Sequence, residues 1–200
     1  MTIVAVIVVI IFGAFRVGVR AWEKGESDIE NHQRYRIVLN LINRQMSSIN
    51  LRKVEKDGKE ELLLKGDGKS FQFVSNISLM PDNEYGMVYA RYEISETEDG
   101  KQRLVFFEKN LVFFNEENDF AEIDRNDYYE LIPGAQEISF EYLKIVEPDK
   151  TREWQDSWNS EDGDKIAPLA VRVNNVPEPE TAPVSVIAPI NQESDENAKM

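Results

Sequence analysis

Cysteine is absent from this 200-residue sequence, which excludes disulfide bonds, thiolate zinc sites and cysteine nucleophiles. Histidine occurs once, as His32, and no partner stands at a spacing typical of a metal site or an acid–base pair. We therefore expect His32 to be an ordinary surface residue. The sequence also lacks the G-x-S-x-G, P-loop, H-E-x-x-H and G-x-G-x-x-G motifs. It predicts a protein that is not an enzyme and uses no cofactor, metal or small-molecule substrate.

Positive charge is scarce, since 23 lysines and arginines face 37 acids and the formal net charge is −14. Such a surface repels nucleic-acid phosphates, so nucleic acid is excluded as a partner. The acidic stretch 160–165 has oxygen ligands for a hard cation, but it lacks the EF-hand spacing and ends in Lys165. We interpret it, and the similar stretch 115–119, as solvated loops, and the question of calcium stays open.

No apolar run is long enough to span a bilayer comfortably. As a helix, residues 2–15 cover about 21 Å, against about 30 Å of hydrocarbon. Snorkelling of Arg16 and Arg20 extends the span to Ala21, with Trp22 at the interface. We predict a transmembrane helix over residues 1–21 whose first turns lie upstream of Met1. Its membrane anchor residues are Ile3, Val6, Ile7, Ile10, Ile11, Phe12 and Phe15.

An amphipathic pattern follows over residues 22–48. Apolar residues recur at steps of three and four, which is typical of a helix that packs on a domain. The predicted packing face consists of Tyr35, Val38, Leu39, Ile42, Met46 and Ile49. The two patterns together predict one long N-terminal helix, embedded in the membrane along its first half and packed on a sheet along its second.

Residues 49–176 change to the period of two that is typical of strands. Asp57-Gly58 and Asp99-Gly100 each separate two such runs and predict β-hairpins. Residues 138–145 alternate cleanly and predict a half-buried antiparallel strand. Residues 177–200 contain few large apolar side chains and predict a disordered acidic tail. The expected fold is therefore α+β, with the long helix packed on antiparallel sheet.

Two tryptophans, Trp154 and Trp158, stand four residues apart. Aromatic side chains usually fill a core, whereas an exposed tryptophan is often the centre of a binding surface. Both roles stay open from the sequence.

The second half of the chain resembles the J-type minor pseudopilins of type II secretion systems, members of the type IV pilin-like superfamily. Residues 130–143, ELIPGAQEISFEYL, are similar to a strand of that family. The family's tryptophan pair, acidic linker and Pro-x-Ala-Val-x-Val strand have counterparts at 154–158, 160–165 and 168–173. The segment from Gln33 to Arg44 is similar to the family's basic and apolar helix. The likeness covers about residues 2–176.

The resemblance implies a structural subunit at the tip of the secretion pseudopilus, which supports protein export across the outer membrane. It implies I-type and K-type pseudopilins as partners, with H-type and major G-type subunits as further ones. It also implies a single-pass protein of the bacterial inner membrane whose C-terminal domain lies in the periplasm.

The front of the chain departs from the family pattern. Pseudopilins begin with a basic leader, a glycine cleavage site and Phe-Thr-Leu-x-Glu, where a leader peptidase cuts and methylates the chain, and none of these stands here. We expect them to be encoded upstream of Met1. Two other functions stay open, namely a minor pilin of a type IV pilus and a membrane-anchored periplasmic binding module.

Overall fold

The computed structural model describes residues 12–13, 15–19, 22, 33–51, 53–56, 59–81, 86–113, 127–146, 149–159 and 167–191. Strands make up 50% of the structure, and the sheets are antiparallel. Contacts divide the chain into two units, Met1–Val38 and Leu39–Met200, which are described here separately.

The first unit corrects the predicted fold class. Its described residues are helical at 12–13, 15–19, 22 and 33–38, and Phe12 and Phe15 are 71% and 68% exposed. No helix among the described residues is long and apolar enough to cross a membrane. The predicted long N-terminal helix is wrong. Periodicity predicted two helical segments, but it carries no information on whether they form one helix.

The predicted anchor lies largely outside the described residues, because Ile3, Val6, Ile7, Ile10 and Ile11 are not among them. The predicted helix packing face is described throughout. Tyr35, Val38 and Leu39 are half-buried, whereas Ile42 and Met46 are 0% exposed and Ile49 is 7% exposed. The helix that carries the first five, α1, covers residues 33–46 among those described, and Ile49 follows it in a β-bridge with Ser75. Burial is therefore concentrated at the C-terminal end of α1.

The second unit contains three antiparallel sheets. A two-stranded sheet pairs β1 (Lys53–Lys56) with β2 (Lys59–Leu62). A six-stranded sheet has the order β10-β3-β4-β5-β6-β7. Its strands are β3 (Leu64–Gly66), β4 (Ser70–Ser75), β5 (Val88–Glu96), β6 (Gln102–Asn110), β7 (Tyr129–Ala135) and β10 (Trp158–Asn159). A four-stranded sheet has the order β12-β11-β8-β9. Its strands are β8 (Glu137–Val146), β9 (Thr151–Gln155), β11 (Ala170–Val176) and β12 (Val184–Pro189).

Local sequence signals predicted several of these strands correctly. The Asp99-Gly100 hairpin is confirmed, since β5 pairs with β6 from Glu96 and Gln102 onward. Gly100 has a φ of 77°, a conformation that glycine adopts at little cost. The hairpin at residues 57–58 is confirmed by the pairing of Lys56 with Lys59. The alternating run 138–145 is confirmed as β8.

The six-stranded and four-stranded sheets share an aromatic core. Phe71 of β4 lies 6.1 Å from Phe140 and 5.5 Å from Tyr142 of β8, measured between ring centroids. The Tyr142 hydroxyl donates to the carbonyl oxygen of Asp67 at 3.1 Å. These contacts join the two sheets because each ring is fully buried and aromatic pairs stabilise beyond their buried area.

The predicted disordered tail is also wrong in part. β12 pairs with β11 over six residues, from Val184 opposite Asn175 to Pro189 opposite Ala170. Pro183 and Pro189 frame a short run, so composition alone favoured disorder. The edge of β11, a strand separated from β12 by the seven residues 177–183, supplies backbone hydrogen-bonding partners, and such pairing leaves no mark on the composition of the segment. Residues 192–200 lie outside the described residues.

Candidate interaction surface on the four-stranded sheet

The four-stranded sheet has one buried face and one outward face. Inward side chains such as Phe140, Tyr142, Val171 and Val173 are buried, and alternation points the intervening residues to the other side. Strand register places those residues next to one another. We call this set the outer face: Glu141, Leu143, Ile145, Trp154, Arg172, Asn174, Ser185 and Ile187.

A row of hydrogen-bonded polar groups crosses the outer face. The guanidinium of Arg172 donates to Glu141 Oε2 from Nε at 2.8 Å and from Nη2 at 2.7 Å. The side-chain amide of Asn174 donates to the same carboxylate oxygen. Ser185 on β12 donates to Asn174 Oδ1 at 2.7 Å. The two charged side chains are only 26% and 27% exposed, so their charge-assisted bonds are short and hold both groups in fixed positions.

Trp154 lies beside this row. Its ring centroid is 4.2 Å from the Arg172 guanidinium carbon, which is a cation–π contact. Ile145 and Ile187, exposed by 43% and 51%, lie on the same face. The outer face therefore combines an anchored tryptophan and arginine with exposed aliphatic side chains, and these residue types dominate the energetics of protein–protein interfaces.

Trp158 has a different environment from Trp154. It is only 4% exposed, and its residue pairs with Gly66 of β3 in the six-stranded sheet. Its indole Nε1 finds no hydrogen-bond acceptor among the described residues. Of the two roles that the sequence left open, Trp158 has the core role, and Trp154 lies on the outer face.

A second polar cluster lies at the C-terminal end of α1. Gln45 is fully buried, and its amide donates to Glu108 Oε2 of β6 at 2.6 Å and to the Ile77 carbonyl at 3.1 Å. Ser78 donates to the other oxygen of Glu108. Tyr92 donates to Gln45 Oε1 at 2.6 Å. Burial, and secondarily the negative charge of Glu108, raises the pKa of Tyr92 well above its usual value.

This Gln45 cluster holds the helix end on the sheet. Neighbouring backbone bonds strengthen the attachment, since Asn50 N–H donates to the Val74 carbonyl at 2.8 Å and Asn76 N–H to the Ser48 carbonyl at 3.0 Å. None of these residues was predicted from the sequence. The one available signal was a glutamine within an apolar stripe, three residues after Ile42 and one before Met46, because a buried amide requires polar partners.

The remaining candidate residues from the sequence are His32 and two acidic stretches. His32 and the acidic stretches 115–119 and 160–165 lie outside the described residues. Within the described part of the chain, no three histidine, aspartate or glutamate side chains are grouped so that they could hold a metal ion.

Comparison with known proteins yielded no relative: no protein-family model matches this chain, and no curated protein matches it significantly.

Proposed function

We propose that this protein is a structural subunit of a type II secretion pseudopilus, of the J-type minor pseudopilin class, and that it acts by binding other subunits. The proposal depends on the two-sheet domain and its outer face, and it needs no long N-terminal helix. It places the protein at the inner membrane, with this domain in the periplasm and I-type and K-type pseudopilins as its principal partners.

The observation that carries the proposal is the spatial assembly of the segments that resemble the pseudopilin family. These segments are separated along the chain, yet they lie on neighbouring strands. β8 contains the second half of the run 130–143, and it pairs with β9, which contains Trp154, on one side and with β11 on the other. Parts of three of these segments therefore meet on the four-stranded sheet, which is consistent with one shared role.

The chemistry of this surface suits a protein partner. Glu141, Arg172 and Asn174 already satisfy one another, so binding requires little further ordering of these side chains. Trp154, on the edge strand β9, lies beside the polar row on the central strands β8 and β11, and tryptophan and arginine are residue types enriched at hot spots.

A secretion assay tests the proposal. We expect deletion of the gene in the source bacterium to stop export of type II substrates across the outer membrane, and the wild-type gene to restore it. Trp154→Ala should restore export poorly. Phe113→Ala is the matched control, because Phe113 is also an exposed aromatic residue, 75% exposed, but lies outside the four-stranded sheet.

Normal export in the deletion strain would contradict the proposal, because it would exclude a role in secretion, and the state of the surface pili would then separate the two alternatives. Loss of surface pili with intact export would favour a minor pilin of a type IV pilus instead. Normal export and normal pili together would favour a periplasmic binding module.

A further inference from the structure

The C-terminal strand β12 is attached to the rest of the domain mainly by backbone hydrogen bonds. It lies at the edge of the four-stranded sheet, next to β11, and its attachment is the six-residue backbone ladder. Side-chain burial is limited, since Val184 and Ile187 remain 39% and 51% exposed. Ala188 and Ile190 are the buried apolar residues of this segment. Releasing β12 therefore costs the six-residue ladder and the burial of Ala188 and Ile190.

The connection between β11 and β12 is built as a hinge. Its seven residues, 177–183, include Pro177, Pro179 and Pro183, and proline favours extended chain. Glu180 has a φ of 66°, a left-handed conformation that is unfavourable for a residue other than glycine. The closed turn is held by Thr181, whose N–H and hydroxyl both donate to the Glu178 carbonyl, at 3.2 Å and 2.6 Å. Opening of the turn breaks these hydrogen bonds, but it lets Glu180 leave its unfavourable left-handed conformation.

From these features we infer that β12 exchanges between two copies of this protein, so that the edge of each β11 is completed by the partner's Val184–Pro189 segment. A second copy is the occupant that the structure supports, because the chain's own segment fits this edge in register and places Ala188 in a buried position. The swapped and closed forms contain the same strand pairs, and they differ chiefly at the hinge. Exchange of an identical element is a low-cost route to dimers.

Strand exchange does not depend on the pseudopilin assignment. The equilibrium between the closed monomer and the swapped dimer depends on protein concentration and on the hinge. In the closed monomer, β12 is tethered near β11 at a high effective concentration, so swapping requires concentrated protein or joint refolding.

Disulfide trapping tests the exchange in the full chain, which has no natural cysteine. Asn174 and Ser185 are directly opposite each other on β11 and β12 and are hydrogen-bonded. One chain carries N174C and another carries S185C, and the two are unfolded together in urea, refolded as a mixture and oxidised. We expect a covalent dimer linked through positions 174 and 185, identified by mass spectrometry, whose yield rises with protein concentration.

A matched control comes from the β5–β6 hairpin. Ser95 and Arg103 are also opposite each other and hydrogen-bonded at 2.8 Å, but both strands lie inside the six-stranded sheet. A mixture of S95C and R103C chains should give only random links, several-fold fewer than the 174–185 pair. The N174C/S185C double variant should form its link within one chain at low concentration, which shows that the pair is competent for bonding.

Two substitutions in the hinge should change the yield of linked dimer in opposite directions. Thr181→Ala removes the two hydrogen bonds of the hydroxyl, which donates to the Glu178 carbonyl and accepts from the Glu178 N–H, and should increase the linked dimer. Glu180→Gly accepts the positive φ without strain and should decrease it. The inference is overturned if the 174–185 link between chains stays at the level of the control while the double variant links efficiently, or if both hinge variants leave the dimer yield unchanged.

Discussion

At the scale of single residues, Tyr142 lies so close to Gly66 that a side chain at position 66 has no room. The tyrosine belongs to the four-stranded sheet and the glycine to β3 of the six-stranded sheet. A methyl group on Gly66 would stand 1.9 Å from the Tyr142 hydroxyl oxygen and 2.6 Å from the ring carbon that bears it. The ring is fully buried, so it cannot move aside freely. Glycine is required at position 66 because the two sheets meet there.

The first prediction follows from this contact. Gly66→Ala should lower the free energy of unfolding by about 1–3 kcal/mol or more, the usual cost of overpacking. Gly68→Ala is the control, since its added methyl group would meet nothing closer than the Asp156 carbonyl at 3.8 Å. Urea denaturation of both variants measures the difference. Equal stability of the two variants would contradict the described contact between the sheets.

Buried tyrosines make a second prediction at this scale, on pH. Burial, with a smaller contribution from Asp67, raises the pKa of Tyr142 above its usual value of 10.0. Burial also raises the pKa of Tyr128, to about 12. A raised pKa means that the folded protein keeps protons that the unfolded chain releases. The stability is thus fully present below pH 10 and is lost as pH rises above it.

We therefore expect the free energy of unfolding to fall above pH 10, by up to about 1.4 kcal/mol per pH unit for a buried tyrosine. Tyr142→Phe should reduce this slope, at a cost at neutral pH of about 1 kcal/mol for its lost hydrogen bonds. Tyr129→Phe, at a position 53% exposed, is the control and should leave the slope as it is. Urea titrations at several alkaline pH values measure it, and a slope unaffected by Tyr142→Phe would contradict the burial of that hydroxyl.

At the scale of elements, the end of α1 shows what periodicity can and cannot predict. Ile49 lies beyond the helix, in a β-bridge with Ser75. The steps of three and four predicted that Ile42 and Met46 share a face of α1, because that spacing is geometric, and both side chains are fully buried. These steps did not indicate the Gln45 cluster, because Glu108 is far away in sequence. They also could not show where the helix begins, and the predicted continuous helix from the N-terminus was wrong for that reason.

The third prediction tests the packing of this element. Ile42→Ala should cost about 2–5 kcal/mol, since it removes a fully buried side chain and leaves a cavity. Leu41→Ala, at the adjacent position with 37% exposure, should cost much less. Thermal or urea unfolding compares the two. A similar cost for both would mean that the helix end is not seated on the sheet as described.

Strands were predictable where their signals are local. The hairpin at Asp99-Gly100 and the alternation of β8 depend on residues close in sequence. β12 was missed because its stabilisation comes from the edge of β11, and β10 is too short, with two residues, to show a period. Pairing with another strand decides such elements, and propensity does not encode it.

At the scale of the whole molecule, the chain passes between the six-stranded and four-stranded sheets at three points that no local pattern marks. It crosses between β7 and β8, at Gln136, crosses back between β9 and β10, and crosses again between β10 and β11. The crossing between β9 and β10 separates Trp154 from Trp158, although only three residues stand between them. The sequence left the roles of the two tryptophans open for this reason, and only the topology places Trp154 on the outer face.

The proposed function depends on the outer face, so the fourth prediction concerns binding to a partner subunit. Trp154→Ala should weaken binding to the partner subunit by about 2 kcal/mol, or about thirtyfold, the usual effect of truncating a tryptophan hot spot. The free energy of unfolding of the Trp154→Ala variant should change little, because Trp154 is only half-buried. Phe113→Ala should leave both binding and stability nearly unchanged. Equal binding by Trp154→Ala and the wild type would exclude Trp154 from the interface.

The most direct test of the account is a calorimetric titration of the full-length protein in detergent with the I-type and K-type pseudopilins of the same secretion system. We predict binding to at least one of them with a Kd below tens of micromolar, as expected for an interface of standard size. That binding should weaken with Trp154→Ala and persist with Phe113→Ala. The absence of binding to both pseudopilins, alone or combined, would contradict the proposed role as a subunit of the pseudopilus.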